Sequence, residues 1–254
     1  MDKTILKFPS AYLLVSHGSR DPRPEVAMQA LACLLRDRLQ EQQGQSSLPM
    51  VGTAQLELHP LPLHQQITAF ADRARAVGCD RLQILPLFLL EGVHVMEDIP
   101  AEIAQAHPIL GTTIQLDLRP HLGSQISGLR HLLQSAIQLV QGSNSGDRQW
   151  IVLSHGSRRP GSNQVVEDLA NRLQAIPAYW SISPNLEERM DELIQAGYRH
   201  LGILPYFLFP GGITDAIGQV AREHSQRQPE LQIQLADPIG ATPELAELIL
   251  ALTA

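Results

Sequence analysis

The chain has 254 residues, 44% of them hydrophobic, enough apolar material for one large core or two ordinary ones. A formal net charge of −7, with no Lys/Arg run interleaved with aromatics, argues against a nucleic-acid binder. Nothing approaches the roughly 18 consecutive apolar residues of a membrane span, and the opening MDKTILKFPS lacks a long apolar region or a small-residue cleavage site, so a cytoplasmic protein without membrane contact is expected. Cys33 and Cys79 have no Cys-x-x-Cys partner, which argues against an iron–sulfur cluster or a thiolate zinc site. Both are expected to be small buried hydrophobes.

In chain order, Tyr12–Val15 reads as a strand that stops at Ser-His-Gly-Ser-Arg. Pro24–Gln40 follows as a helix, with Ala27, Leu31, Leu34 and Leu35 at helical spacing. Thr53–Leu58 is a second strand, and Leu63–Val77 a second helix closed by Gly78. Arg81–Leu90 is nearly all apolar, as expected of a strand buried on both faces. A helix over Met96–Ala106, a strand over Ile114–Leu118 and a helix over Ser124–Val140 complete the first half.

The second half repeats this grammar. Trp150–Leu153 is a strand that stops at the same Ser-His-Gly-Ser-Arg, about 138 residues after the first copy. Val165–Leu173 reads as a helix, Tyr179–Ile182 as a strand, and Leu186–Ala196 as a helix closed by Gly197. HLGILPYFLF at 200–209 mirrors RLQILPLFLL at 81–90; Leu231–Ala236 and Pro243–Leu252 supply the last strand and helix. Between the halves, Gln141–Asp147 has the Gly/Ser/Asn composition of a linker. The expected fold is α/β: two tandem, doubly wound, parallel-sheet domains related by internal duplication, over residues 1–141 and 147–254.

Ligands of open α/β sheets bind beyond the carboxyl ends of the strands. In the first half that edge receives His17 after strand one, Glu57 at the end of strand two and His94 after strand three. Two imidazoles and a carboxylate suit borderline divalent metals, and an imidazole is also the natural base near neutral pH. His121 is expected on the surface. The second half keeps His155, but Ile213 falls opposite His94, and no carboxylate occurs among Tyr179–Ser183 opposite Glu57. One working site and one degenerate half that covers the substrate is the reading. Ser19, Arg20 and Arg23 in one turn, with Arg158 and Arg159 in the other, are candidates to hold an anionic substrate. A serine nucleophile is disfavoured, because the pattern is not Gly-x-Ser-x-Gly.

The segments LLVSHGSRDPR, LELHPLPL, LPLFLLEGVHVMEDIP and RPHLGS, with VLSHGSRRPGSN and LPYFLFPGGI later, resemble the sirohydrochlorin chelatases, the class II tetrapyrrole chelatases of siroheme and cobalamin synthesis. The resemblance covers nearly the whole chain and looks like the family's two-domain bacterial members. It implies ATP-independent insertion of Fe²⁺ or Co²⁺ into sirohydrochlorin, the metal being substrate and not a permanent cofactor. It also implies that His17 and His94 are the metal-binding and proton-accepting pair, with Glu57 in support. Either imidazole can serve as ligand with the other as base. Apolar residues of 87–90 and 206–209 are expected to line the macrocycle's cleft, in a monomer. Two other readings use the same cluster: a metal-dependent hydrolase, and a non-catalytic tetrapyrrole or metal carrier.

Overall fold

The computed structural model describes residues 10–43, 48–141 and 148–254; the linker expected at 141–147 lies, apart from Gln141, outside the described residues. In the first compact unit, four strands form one parallel sheet in the order β2-β1-β3-β4, with β1 Ser10–Ser16, β2 Val51–Gln55, β3 Arg81–Pro86 and β4 Gln115–Leu118. Helices α1 Arg23–Gln43, α2 Leu63–Ala76 and α3 Ile99–Leu110 make the crossovers. Successive residues of a strand point to opposite faces. Ala11, Leu13 and Val15 accordingly join Ile67, Phe70, Ala71 and Ala106 in one core cluster, while Tyr12 and Leu14 are buried on the other face. Both faces of the sheet are covered, as all-parallel sheets require.

Helix α4 Ile126–Gln141 opens the second unit, whose sheet has the same order, β6-β5-β7-β8. Its strands are β5 Gln149–Ser154, β6 Ala175–Tyr179, β7 His200–Pro205 and β8 Gln232–Leu235. The helices between them are α5 Gln164–Arg172, α6 Leu186–Gln195 and α7 Gly212–Arg227. Gly78 and Gly197, at φ 89° and 95°, end α2 and α6 in the left-handed conformation that glycine tolerates best.

The compact units do not divide at the linker. The first runs to Ser124 and takes in Thr242–Ala254, whereas Gln125–Ala241 form the second. The compact units thus differ from the repeats expected over 1–141 and 147–254: the last helix of each repeat packs with the other repeat's fold. Helix α8 Pro243–Ala251 packs on α1, burying Leu245 and Ile249, and Leu252 just beyond it, beside a core that includes Leu31, Leu35 and Leu39. Arg38 Nε meets Glu247 at 2.8 Å, and Arg119 Nε donates to the Leu252 carbonyl at 2.7 Å. Three such buried aliphatic side chains are worth about 1.5–3 kcal/mol each. Helix α4 likewise buries Leu129 and Leu133 and packs with α5 and β7.

Other expectations shift. Strand β3 ends at Pro86, not Leu90, because its partner β1 turns away after Ser16 and leaves nothing to pair with. Strand β6 lies earlier than expected and contains Pro177, which an edge strand accommodates. Helix α7 was not expected: Gly212, Gly218 and a polar composition hide its buried stripe of Ile217, Gly218, Ala221 and His224. Cys79 is buried, but Cys33 is exposed on α1.

Candidate metal centre

Strand β1 delivers His17 directly after its last residue, and the pairing with the second segment continues past β2. The Leu56 N–H donates to the Ser16 carbonyl and the Glu57 N–H to the His17 carbonyl, each at 2.9 Å. Glu57 is thereby set beside His17, although the strand itself ends at Gln55. Gly18, at φ 102°, makes this possible: a Cβ there would lie 2.1 Å from the Glu57 carbonyl oxygen. The turn motif and the carboxylate are thus one device. On the other side, Gly123 in a 3₁₀ turn (Leu122–Ser124) donates to the Phe88 carbonyl at 2.8 Å and has no room for a Cβ against the Leu89 carbonyl. That contact holds the segment after β3, which leads into His94.

His94 opens a single π-helical turn, His94–Asp98, that runs on into α3; the helix was expected only from Met96. Pro100, near the start of α3, brings no N–H to the helical ladder, and the widened turn falls directly before it. Such single π turns recur at functional sites.

These three segments bring His17, Glu57 and His94 together, with one ligand atom of each lying within 4.8 Å of the others. His17 Nε2 is 3.9 Å from Glu57 Oε2, and the two imidazoles meet edge-on with centroids 4.8 Å apart. Metal–nitrogen bonds run about 2.0–2.1 Å, so a single ion between these atoms reaches all three with small side-chain adjustment. The side chains of His17 and Glu57 are each 50% exposed, so the cluster is open on one side. Phe88 stands against both imidazoles, at 6.4 and 6.0 Å.

One residue at the centre, Asp98, has no role in the sequence reading, and a second, Phe88, has a different one. Asp98 Oδ2 lies 2.7 Å from His94 Nδ1; the signal was its i,i+4 spacing from the histidine. Phe88 is expected from the sequence only as one of the apolar residues of 87–90 lining the macrocycle's cleft, not as a neighbour of the two imidazoles. Its neighbour Leu87 is buried at 3% exposure, and Tyr206 at 2%, so neither lines an open surface. Burial pushes the Tyr206 phenol far up. His121 is half-buried beside Gly123, and desolvation lowers its pKa against an opposing pull from Glu91; it is not the surface residue expected.

Among the anion-binding candidates, the Ser19 hydroxyl accepts from the Asp21 N–H at 3.0 Å, closing the turn. Arg23 forms a two-pronged pair with Asp21, Nε at 3.0 and 3.1 Å from the two oxygens, which holds the Asp21 carboxyl down at about 2. Arg20, Arg158 and Arg159 are exposed. In the second unit His155 follows β5 as His17 follows β1, and the Ser181 N–H donates to the His155 carbonyl at 2.9 Å. Ser181 therefore holds the place of Glu57, and Ile213 packs against the hydrophobic core.

Three comparisons bear on this arrangement. The family model described as CbiX matches residues 11–138 and again 149–253. The chain is 25% identical over 257 residues to a protein of Priestia megaterium named sirohydrochlorin ferrochelatase, covering 95% of this chain and 88% of that one. It is 23% identical to that organism's sirohydrochlorin cobaltochelatase, covering 95% and 78%. Among solved structures, SirB from Bacillus subtilis with Fe3+ superposes at a TM-score of 0.75 with 23% identity, covering 96% of this chain and 94% of that one; at this identity it speaks for the fold. With both repeats matched over most of the sequence, the chain belongs to the CbiX family.

Proposed function

We propose that this protein inserts Fe²⁺ or Co²⁺ into sirohydrochlorin without ATP. The observation that carries the proposal is the open cluster of His17, Glu57 and His94, with ligand atoms within 4.8 Å of one another at the carboxyl edge of the first sheet. Relatives that cover most of this chain are named for that reaction with iron and with cobalt.

A free tetrapyrrole carries two inner N–H protons that must leave as the metal enters. The cluster provides two imidazoles and a carboxylate for both tasks: holding the ion, and accepting protons near neutral pH. Because the site is open on one side, a planar macrocycle can approach the ion face-on. No thiolate is present to select a soft metal, so Fe²⁺ and Co²⁺ are both accepted. The substrate's carboxylates are held by Arg20; Arg158 and Arg159 are the exposed candidates on the corresponding turn of the second unit. Arg23 and Ser19 shape the turn that presents Arg20, since both are engaged with Asp21. Two finer points belong to the same reading: the protein works in the cytoplasm, and as a monomer, since one chain already carries both repeats. No helix among the described residues is long and apolar enough to cross a membrane.

The test is an anaerobic absorbance assay with sirohydrochlorin and either ion at matched free concentrations. Metal-dependent loss of the free-base spectrum above the rate in buffer supports the proposal. Tetrapyrrole binding with no acceleration identifies a carrier instead, and a metal that is retained through turnover of an ester or phosphate substrate identifies a hydrolase.

A further inference from the structure

We propose that Asp98 is a positioning residue of the metal centre. Its carboxylate accepts a hydrogen bond from Nδ1–H of His94, fixing the tautomer whose Nε2 lone pair serves the cluster with His17 and Glu57. Whether His94 holds the ion or takes a pyrrole proton, it must present an unprotonated nitrogen to the reacting centre. A carboxylate that accepts from Nδ1–H leaves Nε2 as that nitrogen in the neutral ring.

Four observations support the assignment. The contact is short, 2.7 Å, as expected for a charge-assisted bond. Asp98 lies inside the continuous helical run from the π turn into α3, one turn after His94, which sets the two side chains on the same face. Among the described residues no Lys or Arg pairs with it, and its side chain is 45% exposed, so it is not serving a core ion pair. Finally, the second unit lacks both partners. Counting from Gly92 and Gly211, His94 corresponds to Ile213 and Asp98 to Ile217, the latter fully buried. The imidazole and its carboxylate are present together or absent together.

The inference rests on the proposed function only in taking the cluster to hold a metal ion, so its test uses Co²⁺ without tetrapyrrole. The intact chain is titrated with Co²⁺ and followed by ligand-field absorption, while ¹⁵N-histidine spectra report the His94 tautomer. Asp98→Asn and Asp98→Ala are expected to weaken Co²⁺ binding by about 10–100-fold. Asp98→Asn should also move His94 toward the Nε2–H form, and Asp98→Glu should recover part of the affinity. In a His94→Ala background, Asp98→Asn should change Co²⁺ affinity no further. The proposal is overturned if Asp98→Asn binds Co²⁺ as wild type does, or if it loses the same factor when His94 is already gone. A wild-type protein that binds Co²⁺ through His94 yet metallates no sirohydrochlorin would overturn the proposed function and leave this assignment standing.

Discussion

In the first unit the Ser-His-Gly turn closes against a glutamate; in the second the same turn closes against a serine. Ser181 Oγ donates to the His155 carbonyl at 2.8 Å, so the residue opposite the histidine serves the backbone, where Glu57 extends toward the imidazole. The helices that follow diverge in the same sense. Helix α2 has no side-chain cap of its own at Pro62. Glu102 crosses from α3 to accept from the His64 N–H at 2.7 Å and lies 2.9 Å from its ring, tying α2 to the helix that carries His94. Helix α6 caps itself, through the reciprocal Asn185–Glu188 box. The cores have exchanged volume as well: Tyr12 beside Gln83 becomes Trp150 beside Gly202, where a Cβ would lie 2.5 Å from the indole. Strand order, turn and helix ends survive in both halves because each is needed to bury the same sheet. The ligands survive in one, because nothing in the fold depends on them.

The sharpest way to break this comparison is to remove the histidines one at a time. His17→Ala or His94→Ala is expected to lower metal insertion by about 100-fold or more, the usual scale for a positioned acid–base or ligand group, with thermal melting little changed. His155→Ala should stay within about threefold of wild type. Equal losses at His17 and His155, in initial rates of metallation, would mean that both halves work.

The two turn glycines give a smaller contrast. Gly18→Ala drives a methyl into the Glu57 backbone, and should cost about 1–3 kcal/mol of stability together with about tenfold in activity as Glu57 moves. At Gly156 the methyl would meet side chains, Ile182 Cγ1 and Tyr179 Cβ at 2.8 Å. Gly156→Ala should therefore cost stability, read by thermal melting, with little effect on metallation.

Restoring what the second unit lost is a weaker effect but a more informative one. Ser181→Glu with Ile213→His should let that unit bind a second Co²⁺ per chain with modest affinity, seen as a changed stoichiometry in the titration. No gain would show that the π-helical turn, absent from α7, is needed to aim the second imidazole.

The smallest expected effect concerns the arginine latch. Asp21 and Arg23 fall opposite Arg159 and Gly161, so the second turn lacks this ion pair and is held instead by Asn163, whose Oδ1 accepts from the Ser157 N–H at 2.9 Å and whose Nδ2 donates to the Ser157 carbonyl at 2.8 Å. Asp21 has its carboxyl lowered from 3.8 to about 2, chiefly by the side-chain hydrogen bond from Arg23. A depressed carboxyl stabilises the fold above its unfolded value, so this contribution is present above 3.8 and is lost as pH falls through about 2. Carbon-13 titration of Asp21 should show the low midpoint, and Arg23→Gln should return it toward the ordinary value.

Much of this was legible in the sequence because it is local. Alternating apolar runs, helix-ending glycines and the repeated turn located most strands and helices, and the rule that sites gather at the carboxyl edge brought His17, Glu57 and His94 together. The errors fall where a distant partner decides the outcome. The end of β3 depends on where β1 turns away, and Pro177 is tolerated because β6 lies at an edge. The spacing of Asp98 from His94 carries no signal in a helix expected to start at Met96, and the two meet because a π-helical turn extends that helix back to the histidine. Serine opposite His155 is visible only through the backbone pairing of β5 and β6. The exchange of last helices is the plainest case. The apolar stripes of α4 and α8 state that each must be buried, but a stripe does not name its partner. Packing of α8 on α1, with Arg38 meeting Glu247, assigns the final helix of the second repeat to the first sheet, and that complementarity exists only in three dimensions.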